Sequence, residues 1–281
     1  MKTLVTGGSG YLGTHIKKYF NADDLSRRSG MSVLSEEDVK AVKEYDLVIH
    51  LAALMDKSPE AADEVFETNV QGTINVLKNV RPNAACIFAS TKDVYGRFAD
   101  NQGEVSESCS TAFSGQSALE WSKLIAERYV EFYAATRGFR SCIFRMSAIY
   151  APNSAGNVPN FVGAYADAIN RGERVRLPGE GRPVRDLLAV EDYARACEAF
   201  GDSVIRNGRY NIGGGAENAV SLKRLIELLE EASGLQAVID ESIQLSNPVP
   251  MNYVTDLSLI KQELDWSPKI ELNEGLKGLF R

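Results

Sequence analysis

Apolar and polar positions along the 281-residue chain follow two spacings, and the places where one gives way to the other mark its elements. Lys2-Thr3-Leu4-Val5-Thr6 is a short run of the kind a buried strand makes, and Tyr11 to Phe20 then carries its apolar residues at helical spacing. Asp46 to Ala53 predicts another buried strand, and the weaker stretch Ala22 to Arg28 falls where an intervening strand belongs. Ser35-Glu36-Glu37-Asp38 opens a short helix with a capping signature, Ala61 to Val80 has the spacing of a longer helix, and Ala85 to Thr91 reads as a strand ending in hydroxyls. Strand and helix in alternation predict an α/β fold with a doubly wound parallel sheet, whose ligands sit at the carboxyl ends of the strands. Further on, Leu222, Leu225, Ile226, Leu228 and Leu229 share one side of a helix from Ser221 to Ala232, and Leu257 to Leu264 is a second amphipathic segment; both are expected to be core-facing scaffold.

The junction of the first strand and helix holds glycines at 7, 8, 10 and 13. Gly7 permits a turn other residues resist, Gly10 lets the backbone approach a ligand, and Gly13 lets the helix pack on the strand, while free N–H groups beside Tyr11 and Leu12 suit a pyrophosphate. The implied ligand is a dinucleotide. An acid at the end of the second strand holds an adenosine 2′-hydroxyl, whereas an arginine there accommodates a 2′-phosphate. Ser26 takes that place, followed by Arg27 and Arg28, which favours NADP over NAD; Asp23 or Asp24 keeps NAD open. Leu51 and the small Ala52 and Ala53 leave room for the cofactor at the end of the 46–53 strand.

Composition narrows the picture only a little. A net charge of −7 and a pI near 5.1, with no basic cluster, argue against nucleic acid as a partner. Cys86, Cys109, Cys142 and Cys197 are widely spaced with no CxxC, the pattern of reduced thiols in a cytoplasmic protein. His15 and His50 are expected to be structural and no metal site is suggested. The chain opens directly on a strand and no apolar run approaches spanning length, so neither a signal peptide nor a membrane helix is expected.

The motifs TGGSGYLG (6–13), DLVIHLAA (46–53), NVQGTINVL (69–77), FASTKDVYG (88–96), SKLIAE (122–127), FRMSAIYAP (144–152), GEGRPVRDLLAVEDYARA (179–196), YNIGGG (210–215) and LDWSPKIELNEGL (264–276) occur in that order. With them the chain resembles the extended short-chain dehydrogenase/reductase superfamily, in its branch of nucleotide-sugar epimerases, dehydratases and reductases. The resemblance implies a Rossmann domain over 1–152, a smaller substrate lobe over 153–281, and segments around 186–213 that return to the first domain. It also implies a homodimer, paired through the helix holding Lys123 and the one before it. Asn69 is carried over as a cofactor-binding position.

In that family a hydroxyl residue, a tyrosine and a lysine do the chemistry. The lysine binds the nicotinamide ribose and lowers the tyrosine pKa, so that the phenol exchanges a proton with a sugar hydroxyl while hydride moves to or from the nicotinamide. Thr91 matches the hydroxyl and Lys123 the lysine, but the tyrosine position is Leu119, which cannot titrate. Asp93 matches a dehydratase glutamate and is the first candidate for replacement acid/base, with Glu120 and Tyr95 behind it; Lys92 stands where an acid is common. Arg185 matches the arginine that binds the nucleotide diphosphate. Ala148 replaces a family asparagine, and Ser246 or Asn247 stands near where a second arginine is expected. Asp192 and Glu191 look like a capped helix start. Two readings stay open: an NAD(P)-dependent epimerase, dehydratase or reductase of a sugar-like substrate, and a catalytically silent dinucleotide-binding sensor or scaffold.

Overall fold

The computed structural model describes residues 1–153, 157, 159–240, 242, 245 and 248–280. Its first half repeats strand and helix as the patterning predicts. Strand β1 (Thr3–Thr6) leads through the glycine turn into α1 (Tyr11–Phe20), and β2 (Asp23–Leu25) follows. The stretch after Ser35 becomes a 3₁₀ helix, Asp38–Glu44, with the Asp38 amide donating to Ser35 Oγ; β3 (Leu47–His50) comes next. The helix expected over 61–80 is α2 (Ala62–Phe66) and α3 (Gly72–Leu77) joined by a π-helical turn, Glu67–Gln71. After β4 (Ala85–Thr91) and the long α4 (Ala118–Arg137) come β5 (Arg140–Met146) and β6 (Ala148–Tyr150). Helix α5 (Phe161–Arg171), β7 (Arg174–Val175), β8 (Val184–Ala189), α6 (Val190–Asp202) and β9 (Asn207–Ile212) follow. The chain ends with β10 (Ala219–Ser221), α7 (Leu222–Ser233), β11 (Val238–Ile239), α8 (Ser258–Leu264) and α9 (Leu272–Lys277).

Six parallel strands form the main sheet in the order β2-β1-β3-β4-β5-β9. The order reverses between β1 and β3, which opens a crevice beside the glycine turn, where ligands of such sheets bind. Strands β1, β3 and β4 are buried on both faces and read as near-continuous apolar runs for that reason. One core, around Val5, Ile49, Phe144 and Phe200, lies under α1 and α6; the other, around Val48, Val76, Phe88 and Val130, lies under α3 and α4. Of the segments expected to return to the first domain, β9 joins this sheet and α6 packs on α1, whereas β8 lies in a separate three-stranded sheet, β10-β8-β6. That smaller sheet carries a third core with the apolar faces of α5 and α7, including all five predicted residues of the 221–232 helix.

Asp192 does not cap α6 as its place in the sequence suggested. Its carboxylate takes the amides of Lys269 and Ile270 at 3.0–3.1 Å, fastening the SPKI segment to the helix. Among the described residues no helix is long and apolar enough to cross a membrane, and the four cysteines are free.

Candidate active site

The crevice at the switch point is a cavity of about 1140 Å³ running from the glycine turn to the ends of β4 and α4. At the coenzyme end the backbone does the shaping. Gly7 has φ 71°, and a Cβ on it would lie 2.8 Å from the Ala52 nitrogen; one on Gly13 would lie 2.1 Å from the Gly7 carbonyl oxygen. Only glycine closes this turn. Helix α1 then starts at Gly10 with no side-chain cap and no acid in its first turn, which leaves its first N–H groups and the positive end of its dipole for an anion. The Tyr11 hydroxyl fixes the entry by donating to Ala151 O at 2.7 Å and accepting from Ala151 N at 2.9 Å. These features fit a dinucleotide.

Gly7, Gly10, Tyr11, Leu12 and Gly13, with Arg27 and Arg28, line this end, and Leu51 and Ala53 form its floor. Asp23 instead accepts from Tyr45, and Asp24 turns beneath the turn, accepting from Ser26 Oγ at 3.0 Å and pairing with Lys17 at 3.6 Å. Arg28 donates to Ser9 O and Asn157 Oδ1, bridging the turn to the far wall. Two predicted positions lie behind the wall. Ala52 abuts Gly7, and Asn69, on the π-helical turn, is buried, taking the Leu54 amide at 2.8 Å and donating to Leu54 O and Ser122 Oγ at 3.0 Å each. Its side chain ties the strand end to α4.

At the other end the shape comes from side chains. Thr91 closes β4 into the cleft, and its hydroxyl accepts from the Asp93 amide at 3.2 Å. Lys123 reaches the cleft from α4, donates to Ala89 O at 2.7 Å and lies 4.9 Å from the Phe88 ring centroid. Burial pulls its pKa down to about 8 although the Glu127 carboxylate opposes the shift. Beneath, Glu127 takes both Arg145 Nε at 3.0 Å and Nη2 at 2.7 Å and the Ser90 hydroxyl at 2.5 Å, and Arg145 continues to Tyr95, which donates to Asn211. Tyr95 is therefore a buried link, its pKa raised to about 12 mainly by burial, and not a group facing the cleft. His50 is structural as expected: it is wedged between Thr6 and Thr73 at 2.5 and 2.8 Å, with burial pulling its pKa down to about 3.

Leu119 is buried and faces no part of the cleft lining. Asp93 does line it, but its carboxylate is gripped by Lys92 and by Lys57, the latter at 3.0 Å. Burial alone would raise its pKa; the two ammonium groups outweigh that and hold it well below the usual carboxylate range. Glu120 accepts from Ser117 N and Oγ and pairs with Lys57 at 2.8 Å. Arg185 also lines the cleft, while its guanidinium donates to the carbonyls of Val184, Met251 and Pro250 at 2.6–2.8 Å. Ala148 stands beside it in the wall; Ser246 and Asn247 lie outside the described residues.

Sequence reading passed over Lys57, Glu127, Arg145 and Asn211. The last three sat inside recognised motifs, SKLIAE, FRMSAIYAP and YNIGGG, where an acid, a base and an amide at otherwise buried positions signal a shared network. Lys57 lies in a polar loop with no signal of its own.

A parallel sheet that reverses at a glycine turn, with an uncapped helix start facing a deep crevice, defines a dinucleotide-binding protein of the doubly wound class. Residues 3–213 match the model of the NAD dependent epimerase/dehydratase family, and the chain belongs to that family. CDP-paratose 2-epimerase of Salmonella typhi is 28% identical over 100% of this chain and 98% of its own length. A dTDP-glucose 4,6-dehydratase of Streptomyces griseus is 29% identical over 93% of this chain and 76% of its own. Among solved structures, the UDP-glucose 4-epimerase of Thermotoga maritima with UDP-glucose superposes with a TM-score of 0.82 at 25% identity, covering 100% of this chain and 97% of that one. MoeE5 in complex with UDP-glucuronic acid and NAD gives 0.84 at 26%, covering 98% and 96%.

Proposed function

We propose that the protein is an NAD(P)-dependent epimerase, dehydratase or reductase acting on a nucleotide-sugar-like substrate. The observation that carries this reading is the joining, in one cleft, of an uncapped helix start at the glycine turn with Thr91 and Lys123 at the opposite end. When bound, the coenzyme supplies a hydride acceptor or donor. The chain's own part is to hold and orient: Gly7, Gly10 and Gly13 admit the pyrophosphate, Lys123 binds the nicotinamide ribose, Thr91 hydrogen-bonds the sugar hydroxyl, and Asp93 sets the charge around the proton-transfer step. NADP is favoured because Arg27 and Arg28 line the adenosine end, whereas Asp23 and Asp24 are not part of its lining.

Residues after 152 furnish the substrate side, where Asn160, Phe161, Arg185 and Val249 face the cleft. The two-lobed division at residue 152, a cytoplasmic setting with reduced cysteines, and a homodimer complete the proposal. The dimer rests on an exposed apolar face of packed α2 and α4, where Phe66 is 52% and Phe132 is 56% exposed beside Trp121, Ile125 and Tyr129.

Conversion of UDP-glucose, UDP-glucuronic acid, dTDP-glucose or CDP-glucose by the purified protein with NADP+ or NAD+, followed by chromatography of the sugar nucleotide, supports the enzyme; nicotinamide absorbance changes in net terms only where the reaction stops at oxidation. The silent-sensor reading, which Leu119 favours, gains if coenzyme binds with no turnover across that panel and Leu119→Tyr creates activity absent from the parent.

A further inference from the structure

With Leu119 buried, α4 brings no phenol to the reacting end, so the proton needs another carrier. Four titratable carboxylates and amines are at hand beside Lys123: Lys57, Lys92, Asp93 and Glu120, of which Lys57 is tied to both carboxylates, at 3.0 and 2.8 Å. Asp93 is clamped between two ammonium groups and stays ionised, and Glu120 is spent on capping α4 and on Lys57. Lys92 follows Thr91 directly at the end of β4, is 7% exposed, lines the cleft, and rests 5.2 Å from the Tyr253 ring centroid.

We propose that Lys92 is a catalytic residue that moves the proton to and from the substrate oxygen, with Asp93 as its counterion. The inference rests on the functional reading above and deepens it. As a substrate carbonyl carbon receives a hydride, the C=O π pair moves onto oxygen, which takes one proton from Lys92 Nζ. An N–H bond breaks, an O–H bond forms, the amine is left neutral, the carbonyl is reduced and the coenzyme is oxidised; alcohol oxidation runs the same transfers backwards.

The surroundings suit an amine that gives up its proton. Lys92 shares Asp93 with Lys57, and Arg185 is the next charge, with Glu120 on the far side of Lys57. When Lys92 becomes neutral, Asp93 keeps Lys57 as its partner, so no buried carboxylate is stranded. Burial draws the Lys92 pKa down, Asp93 opposes that, and Arg185 and Lys57 add to the lowering. This brings the amine towards the working pH, where proton transfer is most efficient.

The test pairs kinetics with a measurement of the amine itself. Purified full-length protein is treated with acetic anhydride across a pH series, and labelling of Lys92 is followed by peptide mass spectrometry against exposed Lys43. Lys92 is expected to titrate at lower pH than Lys43 and to be shielded by NADPH with UDP-glucose. Lys92→Met is expected to lower kcat by ~100-fold and to erase one limb of the pH profile, with the NADPH Kd, read by fluorescence, within about threefold of the parent. Lys92→Arg, which keeps the charge but cannot release a proton at this pH, is expected to give no rescue. Turnover of Lys92→Met near the parent level with an unchanged pH profile overturns the proposal alone, as does a Lys92 that titrates with Lys43. A parent protein that binds neither NADPH nor NADH overturns the functional reading and this proposal with it. Should Lys92→Met not fold, the labelling arm and Lys92→Arg still decide.

Discussion

The two ends of the cleft are built in different ways. The coenzyme end is made of backbone: three glycines, a helix start without a cap, and small residues on the floor. The reacting end is made of charged side chains held by other charged side chains, with Lys57, Lys92, Asp93 and Glu120 in one chain of ion pairs. Backbone sites tolerate few sequences because a Cβ has nowhere to go. Side-chain sites can exchange one titratable group for another as long as charge is balanced, so a family can keep its coenzyme site while its proton carrier changes. On the proposed function, Leu119 beside Thr91 and Lys123 is an outcome that asymmetry allows.

The comparison can be broken at its foundations first. Glu127→Leu strands the buried Arg145 guanidinium under the reacting end and is expected to cost about 4 kcal/mol of stability, read from urea midpoints; a near-neutral result would remove the support assigned to Ser90 and Tyr95. Gly13→Val forces a side chain into the Gly7 carbonyl and is expected to cost about 3 kcal/mol and abolish NADPH binding, measured by calorimetry. If that variant binds normally, the backbone account of the coenzyme end fails.

Lys123→Met is expected to lower turnover by ~100-fold, because on the proposed function it removes the amine assigned to the ribose. It should also change stability against pH. The folded Lys123 pKa, about 8, lies below that of an unfolded lysine, so between the two the unfolded chain binds more protons and parent stability rises with pH. Denaturation midpoints for Lys123→Met should lack that rise. His50 gives a matching signal in acid: neutral when folded down to about pH 3 but protonated when unfolded below about 6.5, it makes stability fall as pH drops through that window. The slope is expected to be roughly 1.4 kcal/mol per pH unit in the middle of the window and to vanish in His50→Asn.

The smallest effect sharpens the coenzyme end. Arg27→Ala with Arg28→Ala is expected to weaken NADPH binding about tenfold more than NADH binding, consistent with loss of exposed charge pairing to a 2′-phosphate. Equal losses for the two would assign the arginines to the turn's architecture.

The order of strands and helices and the glycine turn were legible in the chain alone, since each is a local pattern of period-two or period-3.6 apolar spacing or of glycines at fixed offsets, whereas Thr91, Lys123 and the leucine at the tyrosine position were picked out only by the family resemblance. Tertiary structure decided what those groups touch. It turned Asp24 under the turn and Asp192 onto the SPKI segment, sent Tyr95 into a buried network with Arg145 and Asn211, and brought Lys57 across 36 positions to share Asp93 with Lys92. Such pairings join residues far apart in sequence, and their protonation depends on burial and on the nearest opposite charge, which only the packed fold sets.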